Sequence, residues 1–317
     1  AAGIDVLGAA PSAVAARKLA EGTGVPAVTL HRLNQTEVLP ERSVLLVDEA
    51  SMADTRVLAQ TLRLAADAEA KVVLVGDPHQ LPAVGAGGLF AAIVERHGAA
   101  ELTENRRQRD PLERAVLERL RDGVGRKYLA HAQRTERLVQ SDDPISTRAR
   151  LLADWWEHAR SDPAENVMIA LKRRDVDDLN RLAHRLMDTA GLLGAERLQT
   201  RHGELAVGDR VVCKRNDNTF GVANGTRGTV RQLDLTDRSL AIQTDDGGEL
   251  RLPNAYVDAG NIRHAYALTG HATQGITVDR AFVLATGESR LQEWGYVALS
   301  RARGGTKLYV TSPVARE

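Results

Sequence analysis

The sequence predicts an α/β protein built on parallel sheets, with a small β-barrel inserted in its second half. In the first hundred residues, short apolar runs alternate with helical patterns, an alternation that is typical of βαβ units. Two of these runs end abruptly at acidic or glycine residues, as buried parallel strands do at the carboxyl edge of a sheet. Residues 203–257 instead contain short β runs separated by turn dipeptides, which favours antiparallel hairpins.

The periodicity of the first hundred residues places their elements. We expect strands at residues 4–7, 44–47 and 72–75, because each is a short apolar run rich in β-prone side chains. Residues 12–21 and 54–69 carry apolar side chains at three- and four-residue spacing and are rich in Ala, Leu and Arg. They are therefore predicted to be helices.

The middle of the chain is predicted to be helical and then to start a second α/β unit. Residues from about 110 to 160 are charged and helical in pattern, and Asp142-Asp143-Pro144 within them indicates a turn. An apolar run at 167–171 predicts a strand, and the pattern at 176–187 predicts a helix.

The inserted segment is predicted from its turns. Asn224-Gly225 and Asp246-Gly247 are dipeptides that tolerate positive φ in tight hairpins. After the insertion the chain returns to longer apolar runs of the α/β kind. The strands predicted in this part of the chain lie at residues 210–214, 229–233, 240–243, 250–252, 281–284 and 307–310.

Composition limits the class of protein. A chain of 317 residues is long enough for two or three domains, and its 42 basic and 42 acidic residues give no net charge. Its single cysteine, Cys213, excludes an internal disulfide and is expected to pack as a small hydrophobe.

Trp155 and Trp156 lie in a helical stretch and are expected to pack the helix against its neighbours. No apolar run approaches the ~20 residues of a membrane helix, and no leader is present, so we predict a cytoplasmic protein without a membrane segment.

Asp48 and Glu49 directly follow the apolar run at 44–47. The carboxyl edge of an open α/β sheet is where such folds bind ligands. There, one carboxylate can hold Mg²⁺ while the other orients or deprotonates an attacking water, as in nucleotide hydrolysis. The alternative is an ordinary helix start, where acidic residues are favoured.

A second strand end strengthens the nucleotide interpretation. The run at 72–75 ends in Gly76-Asp77, and the carboxamide of Gln80 follows. Gln80 has both a donor and an acceptor, so it can bridge a γ-phosphate or its attacking water to a neighbouring domain.

Two arginine-containing segments can supply complementary charge. They contain Arg107, which is followed by Gln108, and Arg301 in the segment around Ser300. A guanidinium from a second domain can stabilise the charge on a transferring phosphoryl group. The alternative is that these arginines are solvated, as most helix arginines are.

The segment 265–277 is dense in hydroxyl and amide side chains and contains two glycines. Such side chains can hydrogen-bond to sugar and phosphate oxygens without a strong fixed charge, which suits a strand that slides. The alternative is a polar loop before the next strand.

Six motifs occur in one order that resembles superfamily 1 DNA helicases. The resemblance is to the RecD-like, 5′-to-3′ branch, and within it to the helicase region of conjugative relaxase-helicases of the TraI/TrwC kind. It covers nearly the whole chain. The motifs are Ala10-Pro11-Ser12, Val47-Asp48-Glu49-Ala50-Ser51, Gly76-Asp77-Pro78-His79-Gln80-Leu81, Glu104-Asn105-Arg106-Arg107-Gln108, Thr269-Gly270-His271-Ala272-Thr273-Gln274-Gly275 and Ala298-Leu299-Ser300-Arg301-Ala302.

The resemblance implies an organisation for the chain. Residues 1–102 would be a first RecA-like motor domain of the P-loop NTPase type. Residues 103–202 and 258–317 would form the second motor domain, and 203–257 an inserted SH3-like β-barrel. ATP and Mg²⁺ would be the cofactors, and single-stranded DNA the track.

The resemblance also implies roles for individual residues. The nucleotide site would use carboxylates for Mg²⁺ and for water, a glutamine as phosphate sensor, and two arginine fingers. These are Asp48 (Mg²⁺), Glu49 (water), Gln80 (sensor), and Arg107 and Arg301 (fingers). Gln274 would couple the nucleotide to the DNA, and the residues along the DNA would be Pro11, Ser12, Thr269, His271 and Thr273.

One departure from the family is large. The phosphate loop that ends in Gly-Lys-Thr is expected before residue 4 and is not in this sequence. Gly22-Thr23-Gly24 is followed by Val-Pro, so it is better interpreted as a helix stop. Without the lysine and its nest of amides the phosphates lose their main cradle. We therefore expect poor or no ATP hydrolysis by this polypeptide alone, and expect the chain to be a piece of a longer protein.

Three functions remain open from the sequence. The first is the motor part of an ATP-dependent helicase, working with an upstream relaxase domain or with other conjugation proteins. The second is a catalytically degenerate module that grips single-stranded DNA for a larger complex. The third is the same motor in DNA repair or phage replication, with repair proteins as partners.

Overall fold

A computed structural model of the chain describes most of its 317 residues and divides them into two compact units, Ala1–Thr103 and Glu104–Glu317. The described residues are 3–36, 38–78, 80, 86–102, 107–217, 219–286 and 291–311.

The first unit is a parallel sheet with helices, as predicted. Its sheet has the order β2-β1-β3-β4, and every neighbouring pair is parallel. Its elements in the described residues are β1 (Val6–Ala10), α1 (Ala13–Thr23), β2 (Ala27–Thr29), α2 (Leu30–Thr36), β3 (Val44–Val47), α3 (Thr55–Asp67), β4 (Lys71–Leu74) and α4 (Leu89–His97).

The two faces of this sheet differ in how well they are covered. Leu45 and Val47 of β3 are fully buried in a core that includes Leu58 of α3. On the other face, Val73 of β4 keeps 38% of its surface exposed, and Val75, just beyond the strand, keeps 42%. Within the described residues β4 pairs only with β3. This edge and face of the sheet are therefore the less protected ones.

The ends of helix α1 follow local chemistry. The side-chain oxygen of Ser12 accepts a hydrogen bond from the backbone N–H of Ala15 at 3.1 Å, which caps the amino end. Gly24 adopts φ 71°, and its N–H donates to the Ala20 carbonyl at 2.8 Å. The prediction that Gly22-Thr23-Gly24 is a helix stop is confirmed.

The second unit combines a five-stranded parallel sheet of order β14-β6-β15-β16-β5, a five-stranded antiparallel sheet of order β12-β11-β10-β9-β13, and the two-stranded hairpin β7-β8. Its described elements are α5 (Pro111–Arg121), α6 (Gly125–Arg134), β5 (Leu138–Ser141), α7 (Pro144–Ala159), β6 (Asn166–Ala170), α8 (Arg173–Thr189), β7 (Leu198–Thr200), β8 (Gly203–Leu205), β9 (Arg210–Cys213), β10 (Arg227–Asp234), β11 (Ser239–Thr244), β12 (Glu249–Leu252), α9 (Asn254–Asp258), β13 (Ile262–His264), β14 (Ala267–Thr269), β15 (Val278–Ala285), α10 (Leu291–Leu299) and β16 (Ala302–Thr311).

Trp155 anchors the core of the parallel sheet. It is fully buried in α7, it packs edge-on against Tyr266 with ring centroids 5.8 Å apart, and its Nε1–H donates to the Asn166 carbonyl at 3.1 Å. Trp156 is partly buried against the same core. The expected packing role of the two tryptophans is confirmed.

The inserted segment is an antiparallel sheet in the structure. Its turns contain Gly225 at φ 92° and Gly247 at φ 88°, the positive values that the turn dipeptides predicted. Cys213 is fully buried in its core, and burial raises the pKa of the thiol to about 12. Strand β13 follows residue 257 and pairs with β9, so the sheet draws on residues beyond 203–257. The SH3-like barrel stays a prediction.

The turn expected at Asp142-Asp143-Pro144 is confirmed in part, because Asp142 and Asp143 form a bend between β5 and α7 whereas Pro144 is already the first residue of the helix. The Asp143 carboxylate accepts hydrogen bonds from the backbone N–H groups of Ile145 and Ser146 at 2.8 and 3.0 Å. Pro144 occupies the first helical turn, where its missing N–H costs nothing. An Asp-Pro pair starts a helix as readily as it forms a turn.

None of the helices in the described part of the chain has the length and apolarity that crossing a bilayer requires.

Candidate functional site

Asp48 and Glu49 lie at the carboxyl end of β3, an interior strand of the first sheet. The Asp48 N–H donates to the Ala9 carbonyl at 2.9 Å, which extends the pairing of β3 with β1 by one residue. The Asp48 Oδ1 accepts from the Glu49 N–H at 2.9 Å. Glu49 itself has φ 51° and ψ 37°, a left-handed conformation that costs a non-glycine residue on the order of 1 kcal/mol or more. Strain of this kind is concentrated at functional sites.

The loop after β4 lies against the short 3-10 helix Ala50–Met52, which follows Glu49. The Ala50 N–H donates to the Val75 carbonyl at 2.8 Å. A β-carbon on Gly76 would come within 3.0 Å of the Ser51 nitrogen and 3.2 Å of the Phe90 ring, so glycine permits this close approach. The ends of β3 and β4 are thereby held side by side.

Gln80 belongs to the same edge. Its backbone N–H donates to the Asp77 carbonyl at 3.2 Å, and its Nε2 lies 3.5 Å from the Asp77 Oδ2. Its side chain is half-buried. The neighbouring His79 and the residues 81–85 lie outside the described residues.

Pro11 and Ser12 leave the same sheet edge after β1, the strand next to β3, and both are half-buried. The Ser12 oxygen already serves as the cap of α1. The first unit therefore places at one edge all the residues predicted to lie in it, both for nucleotide and for DNA.

In the second unit, Arg107 and Ser300 meet although they are far apart in sequence. The Arg107 guanidinium donates to the Ser300 carbonyl at 3.1 Å. The buried Gln108 donates to the same carbonyl at 2.9 Å and to the Ala302 carbonyl at 3.1 Å. The two arginine-containing segments are thus held together by backbone carbonyls. Arg106 lies outside the described residues.

Arg301 is a buried arginine with 1% of its surface exposed. Its Nε donates to the Val297 carbonyl at 2.6 Å, and one terminal nitrogen donates to the Ser300 Oγ at 2.8 Å. The other lies 3.4 Å from the Thr273 carbonyl. Arg301 therefore contacts the segment that carries Gln274.

The segment after β14 forms a short 3-10 turn, His271–Thr273. Thr273 is buried, and its hydroxyl donates to the Gly270 carbonyl at 2.7 Å. Thr269 and Gln274 are half-buried, and His271 is exposed. Trp294 of α10 lies directly over Gly270, because a β-carbon there would be 2.5 Å from its Nε1.

The predicted site residues thus form two sets, one in each compact unit. Asp48, Glu49 and Gln80, with the DNA candidates Pro11 and Ser12, belong to the first unit. The second unit holds the remaining six, which are Arg107, Thr269, His271, Thr273, Gln274 and Arg301.

A buried polar centre in the second unit was not expected from the sequence, in which His184, His202 and His264 show no metal-ligand spacing. Asp209, fully buried before β9, accepts from His184 Nδ1 at 2.8 Å and from the Tyr266 hydroxyl at 2.7 Å. Its Oδ2 lies 3.5 Å from His264 Nε2 and accepts from the Ala206 N–H at 2.7 Å. We call Asp209, His184, His264 and Tyr266 the Asp209 centre.

Hydrogen bonds and charges within the Asp209 centre shift the pKa values of Asp209 and His184. Burial opposes ionisation of Asp209, but His184 and His264 outweigh it and hold the pKa of that carboxyl well below its usual range. The hydrogen bond to Asp209 in turn raises the pKa of His184. The turn signal Gly-Asp before an apolar run could have indicated Asp209, but its partners come from distant segments.

Comparisons with known proteins identify related sequences and a related fold. The family described as the AAA domain matches residues 1–143. The conjugal transfer protein TraA of Agrobacterium fabrum is 34% identical over 317 residues, covering 97% of this chain and 28% of TraA. The ATP-dependent RecD2 DNA helicase of Deinococcus radiodurans is 31% identical over 288 residues, covering 86% of this chain and 38% of RecD2.

Among solved structures, Bacteroides Pif1 bound to single-stranded DNA superposes with a TM-score of 0.63 at 20% identity, covering 97% of this chain and 83% of that one. This likeness shows a shared fold. The chain is therefore a homologue of DNA helicases. Its sequence relatives include the TraA conjugal transfer proteins and a RecD2 helicase, as the resemblance of the motifs predicted. It spans 28% of the length of TraA.

Proposed function

We propose that this chain is the larger part of an ATP-dependent motor that moves along single-stranded DNA within a longer conjugal transfer protein. The observation that carries the proposal is the Asp48-Glu49 pair at the carboxyl end of an interior parallel strand. Gln80 on the adjacent strand's loop supports it. The TraA likeness favours conjugation over repair or phage replication.

Asp48 would hold the metal of the nucleotide. Its carboxylate is half-buried at the sheet edge, and the described contact of its Oδ1 is one amide N–H at 2.9 Å. Carboxylate oxygens are the donors that Mg²⁺ prefers, so the residue fits this ion. When bound, Mg²⁺ neutralises charge on the β- and γ-phosphates of ATP.

Glu49 would take the proton of the attacking water, and Gln80 would orient that water against the γ-phosphate.

The second unit would contribute Arg107 and Arg301 as arginine fingers, so that hydrolysis requires both units. We further propose that Thr269, His271 and Thr273, with Pro11 and Ser12, lie along the DNA, and that Gln274 couples the DNA to the nucleotide. The contact between Arg301 and the Thr273 carbonyl supports such coupling.

The two units would correspond to two RecA-like motor domains. Their proposed ranges are residues 1–102 for the first and residues 103–202 with 258–317 for the second. Residues 203–257 would then be an SH3-like module, for which the antiparallel order of β9 to β12 is the support.

The phosphate loop would come from a segment outside these 317 residues. The exposed edge and face of β4, with Val73 and Val75, give a further strand a place to pair in the first sheet. A phosphate loop that follows such a strand would lie at the same carboxyl edge as Asp48 and Gln80. A relaxase domain and other conjugation proteins would be the partners of the longer protein.

The alternative is a degenerate module that grips single-stranded DNA without hydrolysing ATP. The specific observation in its favour is that the chain contains no Gly-Lys-Thr sequence. Against it, a binding module has no need of Asp48, Glu49 and Gln80 together at one edge.

The test is Glu49→Gln in the longer protein, with DNA-stimulated ATP hydrolysis as the measurement. We expect a loss of at least about 100-fold, the lower range for a general base, while binding of ATP and DNA persists. Glu21→Gln, which alters an exposed glutamate of α1, is the matched control. Unchanged hydrolysis in the Glu49 variant would show that the role of Glu49 is wrong. Absence of hydrolysis in the wild-type protein would favour the degenerate module.

A further inference from the structure

Two cationic side chains lie on the same face of the antiparallel sheet at its β9–β13 edge. Arg263 pairs with Val212, and the adjacent Cys213 pairs with Ile262. Alternate residues of a strand face the same side, so Lys214, two positions after Val212, lies on the Arg263 side. The opposite side of this edge, with Cys213 and Ile262, packs in the core.

Helix α8 brings a third cation to the same place. The Arg263 guanidinium lies 3.9 Å from the Asp177 carboxylate of α8. Arg173 is four residues before Asp177, so the two lie on one face of the helix. Burial and then the charges of Arg263 and Arg173 lower the pKa of Lys214. We call Arg173, Lys214 and Arg263 the junction cluster.

Two of the carboxylates at the start of α8 are paired with cations outside the junction cluster, Asp175 with Arg148 and Asp178 with Arg181. Among the described residues, the carboxylate of Asp177 is the one that lies within 4.0 Å of a cation of the junction cluster, namely Arg263. Lys172 and Arg174 flank Arg173 and are exposed. The amino end of α8 adds a partial positive charge. A group of cations of this kind attracts anions and can bind phosphate groups.

Arg173 of the cluster lies at the same sheet edge as the proposed DNA segment. Strands β6 and β14 are neighbours and parallel, with Ala170 opposite Thr269 at their carboxyl ends. The chain after Ala170 enters α8 at Arg173, and the chain after Thr269 carries His271. Both therefore leave the second sheet in the same direction.

The Asp209 centre fixes the antiparallel sheet on α8. His184 belongs to α8, and His264 directly follows Arg263 on β13; both contact Asp209. The two elements that carry the junction cluster are thus joined through a buried carboxylate. The backbone positions of its cations are thereby fixed relative to one another.

We propose that the junction cluster binds backbone phosphates of single-stranded DNA, extending the track from Thr269 and His271 onto the inserted sheet. The proposal rests on the proposed function, because it takes single-stranded DNA as the ligand. It assigns DNA contact to Arg173, Lys214 and Arg263, outside the helicase motifs of the sequence.

The test uses the 317-residue chain and a fluorescein-labelled oligothymidylate, with anisotropy measured across about 50 to 200 mM KCl. Lys214→Gln and Arg263→Gln each remove one cation. Arg251→Gln is the matched control, because Arg251 lies on β12 at the opposite edge of the same sheet and its side chain is 82% exposed.

Each cluster variant is expected to weaken binding about fivefold at ~0.1 M salt and to reduce the slope of log K against log salt by about 0.7, the value of one phosphate contact on a single strand. Asp177→Asn removes the nearby negative charge and is expected to tighten binding. It also keeps the proposal testable if Arg263→Gln fails to fold, which thermal unfolding would reveal.

Two outcomes separate this proposal from the proposed function. If the wild-type chain binds the oligonucleotide and the cluster variants behave like Arg251→Gln, the junction cluster does not contact DNA, and the proposed function stands. If the wild-type chain does not bind, single-stranded DNA is not the ligand, and both proposals fail.

Discussion

Gly270→Ala is expected to destabilise the second unit, because Trp294 occupies the space that the new methyl group needs. A β-carbon at position 270 would lie 2.5 Å from the Nε1 and 2.7 Å from the Cδ1 of Trp294. The Gly270 backbone has φ −51° and ψ −43°, which alanine adopts readily. The cost is therefore steric, and it falls on an indole that is 5% exposed and held by α10.

The magnitude follows from two opposing contributions. Forcing extra volume into a packed site costs about 1–3 kcal/mol. Replacing glycine by alanine in a compatible conformation returns about 0.4–1 kcal/mol by restricting the unfolded chain. The net loss expected for Gly270→Ala is about 1–2 kcal/mol. At about 2–4 °C per kcal/mol for a unit of this size, the melting temperature falls by several degrees.

Tryptophan fluorescence during urea unfolding measures this loss in the second unit specifically, because Trp155, Trp156 and Trp294 all belong to it. Gly295→Ala is the control. Gly295 is in the same helix as Trp294, and a β-carbon there meets nothing within 4 Å. That variant is expected to gain about 0.5–1 kcal/mol.

A double-mutant cycle with Trp294→Leu isolates the contact. In the Trp294→Leu background the indole is gone, so Gly270→Ala is expected to become neutral or stabilising. An equal loss in both backgrounds would refute the packing of Trp294 on Gly270.

Two further predictions concern buried titratable groups. The pKa of His184 is raised by Asp209, so its contribution to stability is fully present below the unfolded value of about 6.5 and is lost as pH rises through the folded value. The stability difference between wild type and His184→Gln should therefore shrink as the pH is raised from about 6, as measured by urea unfolding; a difference that grew with pH would contradict the charge assignment. Cys213 is fully buried and burial raises its pKa to about 12, so it is expected to resist a thiol-specific reagent in the native protein and to react on unfolding in urea. Rapid native labelling would place the thiol at the surface.

Local pattern was enough to predict the central elements of both sheets. The run at 44–47 matches β3 residue for residue, since a buried strand leaves an uninterrupted apolar signal. The strand predicted at 4–7 lies instead at Val6–Ala10, because the small residues Gly8, Ala9 and Ala10 carry little hydrophobic signal. Three-residue strands such as β2 and β13 were missed, because they are too short for any period to show.

The contacts of the candidate site depend on long-range pairing that local pattern does not contain. Arg107 and Ser300 are 193 positions apart, and both are needed to see why Arg107 is held where it is. The Asp209 centre likewise joins residues from α8, the turn before β9 and the end of β13. Each residue alone has an ordinary structural explanation, and the centre exists only once three elements are packed together.

Arg301 shows how the fold links the two proposed roles of the second unit. Burying a guanidinium is costly unless its N–H groups find acceptors, and at this position they come from the Val297 carbonyl, Ser300 and the Thr273 carbonyl. The last of these belongs to the segment proposed to contact DNA. A shift of that segment therefore changes the hydrogen bonding of the residue proposed to stabilise the phosphoryl group. Because coupling between binding sites is reciprocal, nucleotide acting on Arg301 would alter the affinity for DNA by the same factor as DNA alters the affinity for nucleotide.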